Sequence, residues 1–378
     1  MMGSRELLAR TIYLVLATLS LAACRVPAIP AQEARNATAA QPPPAILPPA
    51  ATVPPAVFPS PSNTPAHPHL RVLWDDDGSP DGILALLYFL RNPDVTVEAI
   101  TVSPGEAHPD LFAENLTRML ARIGRADIPV AAGRTTPLEG DNAFPEPWRH
   151  ATDTFWEIDL PEALEPVQSV SAGQLIVQVL NESPNGTTVF ISGTHTNLAE
   201  ALRLDPLIAD RIASVSVMGG ALYVPGNIHS DWPGIENTVA EWNIWVDPVA
   251  ASEVFNSGLS IDLTPLDATN QVVWTEADAA AWEASGTIEG VLAAEILRWM
   301  LRSWFPEGVY AWDLVAAVNA TDSDLCRYER VHVQVVTVSG PEQGRTVVVR
   351  DQPPNTAACL SPEADAIRRR VAEVLRAP

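Results

Sequence analysis

Between Leu70 and Leu90 the hydrophobic pattern changes period. A short apolar run, Leu70, Val72, Leu73 and Trp74, halts at Asp75-Asp76-Asp77; the chain turns through Gly78-Ser79-Pro80, and apolar residues resume from Ile83 to Leu90 at helical spacing. The pattern reads as strand, loop, helix. Apolar, β-rich runs recur with helical segments between them: Val95 to Val102, Ile128 to Ala131, Thr187 to Ser192, Ile212 to Met218, Leu259 to Leu263 and Val331 to Val338. This alternation predicts an α/β fold, a mainly parallel, doubly wound sheet covered by helices on both faces, as a single large domain over residues 69–378.

Several of these runs break into small or polar residues at one end: Gly105-Glu106, Ser192 to Asn197, Gly219-Gly220. In an open α/β sheet the carboxyl ends of the strands converge on one crevice, which is where ligands bind. The densest such end is the first. Alternation along a strand puts Asp75 and Asp77 on one face and sends Asp76 away. Like charges this close repel unless a cation or proton lies between them, and hard oxygen donors suit Ca²⁺ or Mg²⁺. A helix-capping turn with solvated acids is the plainer reading of the same residues.

Composition sorts the chain into three parts. Residues 1–24 carry Arg5 and Arg10 before a short apolar segment, Thr11 to Leu21, ending in Leu21-Ala22-Ala23-Cys24. This is a secretory signal rather than a membrane span. Its ending resembles the lipobox of bacterial lipoproteins, which implies cleavage before Cys24, lipidation of that thiol, and an exported protein anchored to the outer face of a bacterial membrane. Residues 25–68 hold 13 prolines among 44 residues and almost no charge, the composition of a semi-rigid tether.

Charge removes several function classes. The formal charge is −23 and all 23 basic residues are arginine. So acidic a chain is not built for a nucleic-acid backbone. Absence of lysine excludes Walker-type phosphate loops, Schiff-base chemistry and pyridoxal enzymes. It also argues against a phosphatase of the haloacid-dehalogenase type, which Asp75-x-Asp77 after a strand would otherwise suggest. Besides Cys24 only Cys326 and Cys359 remain, and in an oxidising exterior these could form one disulfide. No CxxC or HExxH spacing points to zinc.

Ala240-Glu241-Trp242-Asn243-Ile244-Trp245-Val246-Asp247-Pro248-Val249-Ala250-Ala251 resembles the AEFN-x-x-x-DPEAA signature of inosine-uridine-type nucleoside hydrolases. The other segments follow in that family's order. The opening motif resembles DxDPGxDD, the stretch at Ser192 resembles TGPLTN, Val217 to Gly220 resembles VLMGG, Leu266 to Thr269 resembles GLDLT, and Asp313 falls at the late His-Asp. Gly340 to Val348 is similar to the C-terminal G-x-x-x-G-x-T-V strand. The resemblance implies Ca²⁺ as cofactor, a nucleoside as substrate, and hydrolysis of the N-glycosidic bond. By position it implies that Asp77 binds Ca²⁺ and takes a proton from the attacking water. Asp313 would be a second carboxylate ligand and the Ser192 carbonyl a further one, with Asp75 beside them. Asp81, Glu241 and Asn243, with Asn227 a looser match, would hold the ribose hydroxyls. Cleavage passes through an oxocarbenium-like ribosyl cation, which anionic carboxylates stabilise. The resemblance leaves a homo-oligomer open.

Three departures bear on this expectation. Gly82 stands where the family has a second aspartate, so a carboxylate that ligates Ca²⁺ there is missing, with Asp75 or Glu106 as its stand-in. Trp312 stands in place of the late histidine, offering an aromatic face to the base instead of an imidazole. His150 lies where the family carries a lid that covers the substrate, although a lone loop histidine is ordinarily a surface residue. His195 replaces an apolar residue of the family's loop, and Trp232, Trp242, Trp245 and Trp312 fall near the expected pocket. A catalytically weak nucleoside- or sugar-binding lipoprotein with a degenerate hydrolase site is the alternative reading of Gly82 and Trp312.

Overall fold

The computed structural model describes residues 69–183 and 186–377. The expected signal peptide at 1–24, with Cys24, and the linker at 25–68 lie outside the described residues. Eight strands form the main sheet: β1 (Leu70–Asp76), β2 (Val95–Val102), β3 (Val130–Ala132), β4 (Thr187–Ile191), β5 (Ile212–Met218), β6 (Ile261–Thr264), β7 (Cys326–Val331) and β8 (Thr356–Pro362). Their spatial order is β3-β2-β1-β4-β5-β6-β8-β7. All neighbours are parallel except β7 and β8. The mainly parallel, helix-covered sheet read from the alternation is therefore present.

Strand order reverses at β1, with β2 and β3 on one side and β4 to β6 on the other. A crevice opens at the carboxyl edge of such a switch point because the two neighbouring connections leave to opposite faces. The side chains of β1 divide between the two faces: Val72 and Trp74 enter one apolar core, Leu73 the other. The first core is closed by the helices Pro80–Arg91, Ile288–Ser303, Trp312–Thr321 and Ala364–Arg376, the second by Ala172–Glu182, Thr196–Leu204 and Pro248–Phe255. The helix Pro80–Arg91 is buried from Pro80 to Phe89, which its nearly uninterrupted apolar sequence requires. Among the described residues no helix is long and apolar enough to cross a membrane.

The C-terminal part departs from the sequence reading. Val331 to Val338 is not one strand of the parallel sheet: Val331 ends β7, and Val333–Val335 turns away to pair with Thr346–Val348 in a separate two-stranded ribbon. The place beside β6 is taken by β8, whose Thr-Ala-Ala-Cys start lacks the β-branched density that marks a strand. Cys326, opening β7, is joined to Cys359 in β8 by a disulfide that spans 33 residues. Closing a loop of that length contributes about 2–4 kcal/mol to stability, mainly through the unfolded chain. Cys326→Ser/Cys359→Ser is therefore expected to lower the denaturant midpoint, and an unchanged midpoint would show that the bridge adds no stability.

Candidate active site

A cavity of about 350 Å³ opens at the switch point. Its acids are Asp77, Asp81, Glu106, Asp231, Glu241 and Asp313, and no arginine or histidine lines it. A larger surface cavity of about 430 Å³, between Thr117, Ile128 and Gln168, holds only the exposed acids Asp127 and Glu165 and none of the residues singled out from sequence.

Each acid of the floor is placed by backbone. Asp77 follows the last residue of β1, and its carbonyl accepts from Ala107 N at 2.9 Å. Its carboxylate accepts from Glu106 N at 3.3 Å. Gly105 is needed there, because a Cβ on it would lie 2.1 Å from Asp77 Oδ2. Asp81 and Asp313 sit in the first turns of two helices, Pro80–Arg91 and Trp312–Thr321. The two turns are tied together: Asp313 N donates to Asp81 Oδ2 at 3.0 Å, and Ser79 Oγ donates to Asp313 Oδ2 at 2.7 Å while capping its own helix at Gly82 N. Glu241 caps the helix Trp242–Val246, accepting from Asn243 N and Ile244 N, and takes a third bond from Gly220 N. Helix N-termini present free N–H groups and the positive end of the macrodipole, so they favour carboxylates.

Burial works against those bonds. Asp75, Asp76, Asp77, Asp81, Glu241 and Asp313 are each 3% exposed or less. Desolvation is the first cause of the shift in every one. It raises Asp81 to about 6, Glu241 and Asp75 to about 7, and Asp76 to about 8. Asp77 and Asp313 stand well above the ordinary carboxylate range, with mutual repulsion adding to burial. Partly buried Glu106 is raised too, by desolvation and then by Asp81, Asp76 and Asp231.

Seven aromatic side chains also line the cavity: Phe144, Trp148, Trp242, Trp299, Trp304, Phe305 and Trp312. Phe144 stacks on Trp242 at 4.7 Å, and Trp304 tilts against Trp312 at 6.2 Å. Trp312 Nε1 donates to Asn270 Oδ1 at 2.9 Å, which fixes the ring.

Of the residues expected from sequence, Asp77, Asp81, Glu106, Ser192, Asn227, Glu241, Asn243, Trp312 and Asp313 all line this one cavity. Asn243 Nδ2 reaches the Ser192 carbonyl at 3.4 Å, and Asn227 Oδ1 is buried with no protein donor. Two residues are elsewhere. Asp75 does not line the cavity; its Oδ1 accepts from Thr101 Oγ1 and Asn197 Nδ2, each at 2.7 Å. Alternation failed because β1 ends at Asp76, so Asp77 lies beyond the ladder and need not share a face with Asp75. Asp76, expected to point away, turns instead toward the acids, accepting from Ser192 Oγ at 2.6 Å and Gly78 N at 2.8 Å. His150 is exposed on the helix Glu146–Asp153, which sends Pro147, Trp148 and Ala151 to the cavity. His195 is buried against Phe255, away from the cavity, and desolvation lowers it to about 4. Trp232 and Trp245 do not line the cavity but contact rings that do, Trp148 and Trp242 respectively.

Sequence reasoning missed Ser79, Phe144, Ser230, Asp231, Trp299, Trp304 and Phe305. The only signal for the last three was the aromatic pair Trp304-Phe305 just past the end of the helix Ile288–Ser303. Asp247 of the signature proves structural: it caps the helix Pro248–Phe255 at Ala250 N and accepts from Leu138 N and Thr196 Oγ1.

Among the described residues no group of three or more His, Cys, Asp or Glu side chains is arranged to hold a metal as it stands. The donor chemistry nevertheless suits a hard divalent cation: carboxylates and a backbone carbonyl around one floor, with no basic side chain lining the cavity.

A model of the inosine-uridine preferring nucleoside hydrolase family matches residues 72–369. The pyrimidine-specific ribonucleoside hydrolase RihA of Citrobacter koseri is 35% identical over 232 residues, 61% of this chain and 71% of the relative. That of Klebsiella pneumoniae is 30% identical over 306 residues, covering 79% and 95%. Among solved structures, a plant nucleoside hydrolase, PpNRh1, superposes with a TM-score of 0.72 at 26% identity, covering 82% of this chain and all of that one.

The raised carboxylates set a pH dependence. A carboxylate with a folded value above its unfolded one binds its proton first in the folded state, so its stabilisation is full below about pH 4 and is lost as pH rises through the folded values, about 6 to 8. His195 acts oppositely, losing stability as pH falls from 6.5 through about 4, but it is one group against several. In chelator, the melting temperature is expected to be higher at pH 5.5 than at pH 8. A melting temperature that rises with pH over that interval would mean that these acids stay ionised in the fold.

Proposed function

The chain belongs to the inosine-uridine preferring nucleoside hydrolase family, a family of N-ribohydrolases, and from that premise we propose that it cleaves the N-glycosidic bond of ribonucleosides to free base and ribose in the cavity at β1. The observation that carries the reading is that one cavity is lined both by a cluster of acids and by seven aromatic side chains. A nucleoside has a half to match each. Its ribose would lie on the floor, hydroxyls held by Asp81, Glu241, Asn243 and the unpaired Asn227 Oδ1. Its base would stack on the aromatic rings, among which Trp242 and Trp312 stand next in sequence to Glu241 and Asp313.

Asp77 is the general base, taking a proton from the attacking water, and the surrounding carboxylates stabilise the ribosyl cation that develops as the bond breaks. Asp77, Asp313 and the Ser192 carbonyl would hold Ca²⁺, which when bound supplies the charge that keeps carboxylates ionised at neutral pH and makes a water more acidic. Fixing the sugar by several hydroxyls at once turns the reaction into an oriented, nearly unimolecular one.

The relatives named above carry pyrimidine-specific names, so uridine and cytidine head the substrate panel, with inosine and adenosine beside them. Release of reducing sugar is expected in Ca²⁺, and Asp77→Asn should lower the rate by roughly two to four orders of magnitude while the melting temperature is retained. Equal rates for the two proteins would remove Asp77 from the mechanism. No cleavage of any of the four by wild type in saturating Ca²⁺ would leave a nucleoside-binding protein in place of an enzyme.

The lipobox-like Leu21 to Cys24 and the proline-rich tract support a further part of the reading: export, with the hydrolase domain tethered by a lipid on Cys24 to the outer face of a bacterial membrane. Expressed with its own N-terminus, the protein should incorporate labelled fatty acid, and Cys24→Ala should not. Equal labelling of the two would exclude Cys24 as the anchor.

A further inference from the structure

Two acids of the cavity, Glu106 and Asp231, have no task in holding ribose or activating water. Glu106 belongs to the floor, its N–H bonded to the Asp77 carboxylate. Asp231 is held differently. Trp242 Nε1 donates to its Oδ2 at 3.3 Å, and Ser230 Oγ to its Oδ1 at 3.2 Å. Among the described residues it is the one acid of the cavity that accepts from an aromatic ring; Asp77, Asp81, Glu241 and Asp313 take their bonds from backbone N–H groups or from Ser79. Asp231 closes the short helix Ile228–Asp231, within an excursion of the chain between Asn227 and Ala240. That excursion is pinned along its length. Gly226 N donates to the Thr238 carbonyl at 2.9 Å, Asn227 N to that of Ala240 at 3.2 Å and His229 N to that of Asn237 at 2.9 Å, while Asn237 Nδ2 ties the return to the Gln343 carbonyl at 2.8 Å. The carboxyl is thereby fixed at the edge of a ring that lines the cavity, next in sequence to Glu241. Although the residue is exposed, partial desolvation raises its carboxyl above the ordinary range, with the bonds from Ser230 and Trp242 acting against it. Its charge bears on Glu106 and Glu241, and no basic side chain lines the cavity. The His229 ring is turned into its own loop, Nδ1 lying 2.9 Å from the Ile235 carbonyl. Such a setting favours a neutral carboxylic acid.

We propose that Asp231 is the acid that protonates the departing base. This role rests on the hydrolase reading above. A base that leaves as a bare anion leaves slowly, and with no imidazole in the cavity its proton has to come from a carboxyl group. As the C1′–N bond breaks, its electron pair passes to the base, and the Asp231 O–H gives its proton to a nitrogen or carbonyl oxygen of that base. The carboxylate left behind keeps its bonds from Ser230 Oγ and Trp242 Nε1. The hydroxyl of the attacking water joins C1′ and the proton of that water goes to Asp77. One proton is therefore given and one taken, and exchange with solvent restores both acids. Two carboxyl groups with opposite duties need different surroundings. Asp77 sits among the acids of the floor, and Asp231 sits at a ring edge that a base stacked in the cavity would reach.

The test compares wild type with Asp231→Asn, in Ca²⁺, on uridine, inosine and p-nitrophenyl β-D-ribofuranoside, whose nitrophenolate departs without needing a proton. Asparagine keeps the shape of the side chain and an acceptor for Trp242 Nε1, but carries no acidic proton. Asp231→Asn should lower kcat on both nucleosides by about a hundredfold or more, with KM and the cleavage of the nitrophenyl riboside each within about threefold of wild type. A loss of equal size on all three substrates would mean that Asp231 supports the fold or holds the sugar. Full activity of Asp231→Asn on the nucleosides would give the proton to another donor. Either result overturns the role of Asp231 and leaves the hydrolase reading standing. A wild type that cleaves none of the three would bring down the hydrolase reading and this role together.

Discussion

The structure is organised around a conflict between burial and charge. Six acids gather at or beneath one strand edge, each 3% exposed or less. Water would solvate them, but the adjoining helices and aromatic side chains keep it away. The protein relieves part of the conflict with backbone N–H groups: the N-terminal turns of Pro80–Arg91, Trp312–Thr321 and Trp242–Val246 all face the same floor. Three helix dipoles pointing at one place is an unusual concentration of positive potential, and it makes so dense a set of carboxylates tolerable. The upward shifts show that the relief is partial. A site left in this condition is primed for positive charge, whether a metal ion or the developing charge of a ribosyl group.

The fold serves that arrangement through its strand order. Because β1 is flanked by strands whose connections depart to opposite faces, its end is open on both sides, and residues from distant segments reach the opening. Ser192 after β4, Glu241 after β5 and Asp313 at the start of a late helix meet Asp77 there. Their separation in sequence is what makes the site cooperative with folding: the carboxylates come together only when both helical layers are seated on the sheet.

The aromatic lining adds a chemical constraint. With Trp312 in the late motif, no imidazole lines the cavity, so on the proposed reading a leaving base would meet aromatic rings and acids rather than a histidine. Stacking would hold any base by its π face without reading its edge, whereas carboxylates and amides would bond the sugar hydroxyls, so recognition would be weighted toward ribose.

Local sequence determined what depends on local physics. The period change at Leu70 to Leu90, the alternation of β-rich and helical runs, and the polar breaks at strand ends were enough to place the parallel sheet and the crevice, while the resemblance to the family's motifs named the nine of eleven expected site residues that line the cavity. Asp77 was grouped with Asp75 and set apart from Asp76, but it lies past the end of β1, while Asp75 and Asp76 lie within the ladder; alternation holds only inside the ladder, and where the ladder stops is decided by neighbouring strands. His150 was set beside the substrate by position, but which face of its helix meets the cavity depends on what packs beneath Arg149 and Thr152. The strand from Thr356 and the aromatic residues Trp299, Trp304 and Phe305 left almost no local signal, since their place follows from long-range pairing and from how one helix lies across the sheet. Gly82 is the sharpest case. By sequence it was a missing carboxylate, and only the three-dimensional packing shows that the space a side chain there would enter is filled by the Asp76 carboxylate.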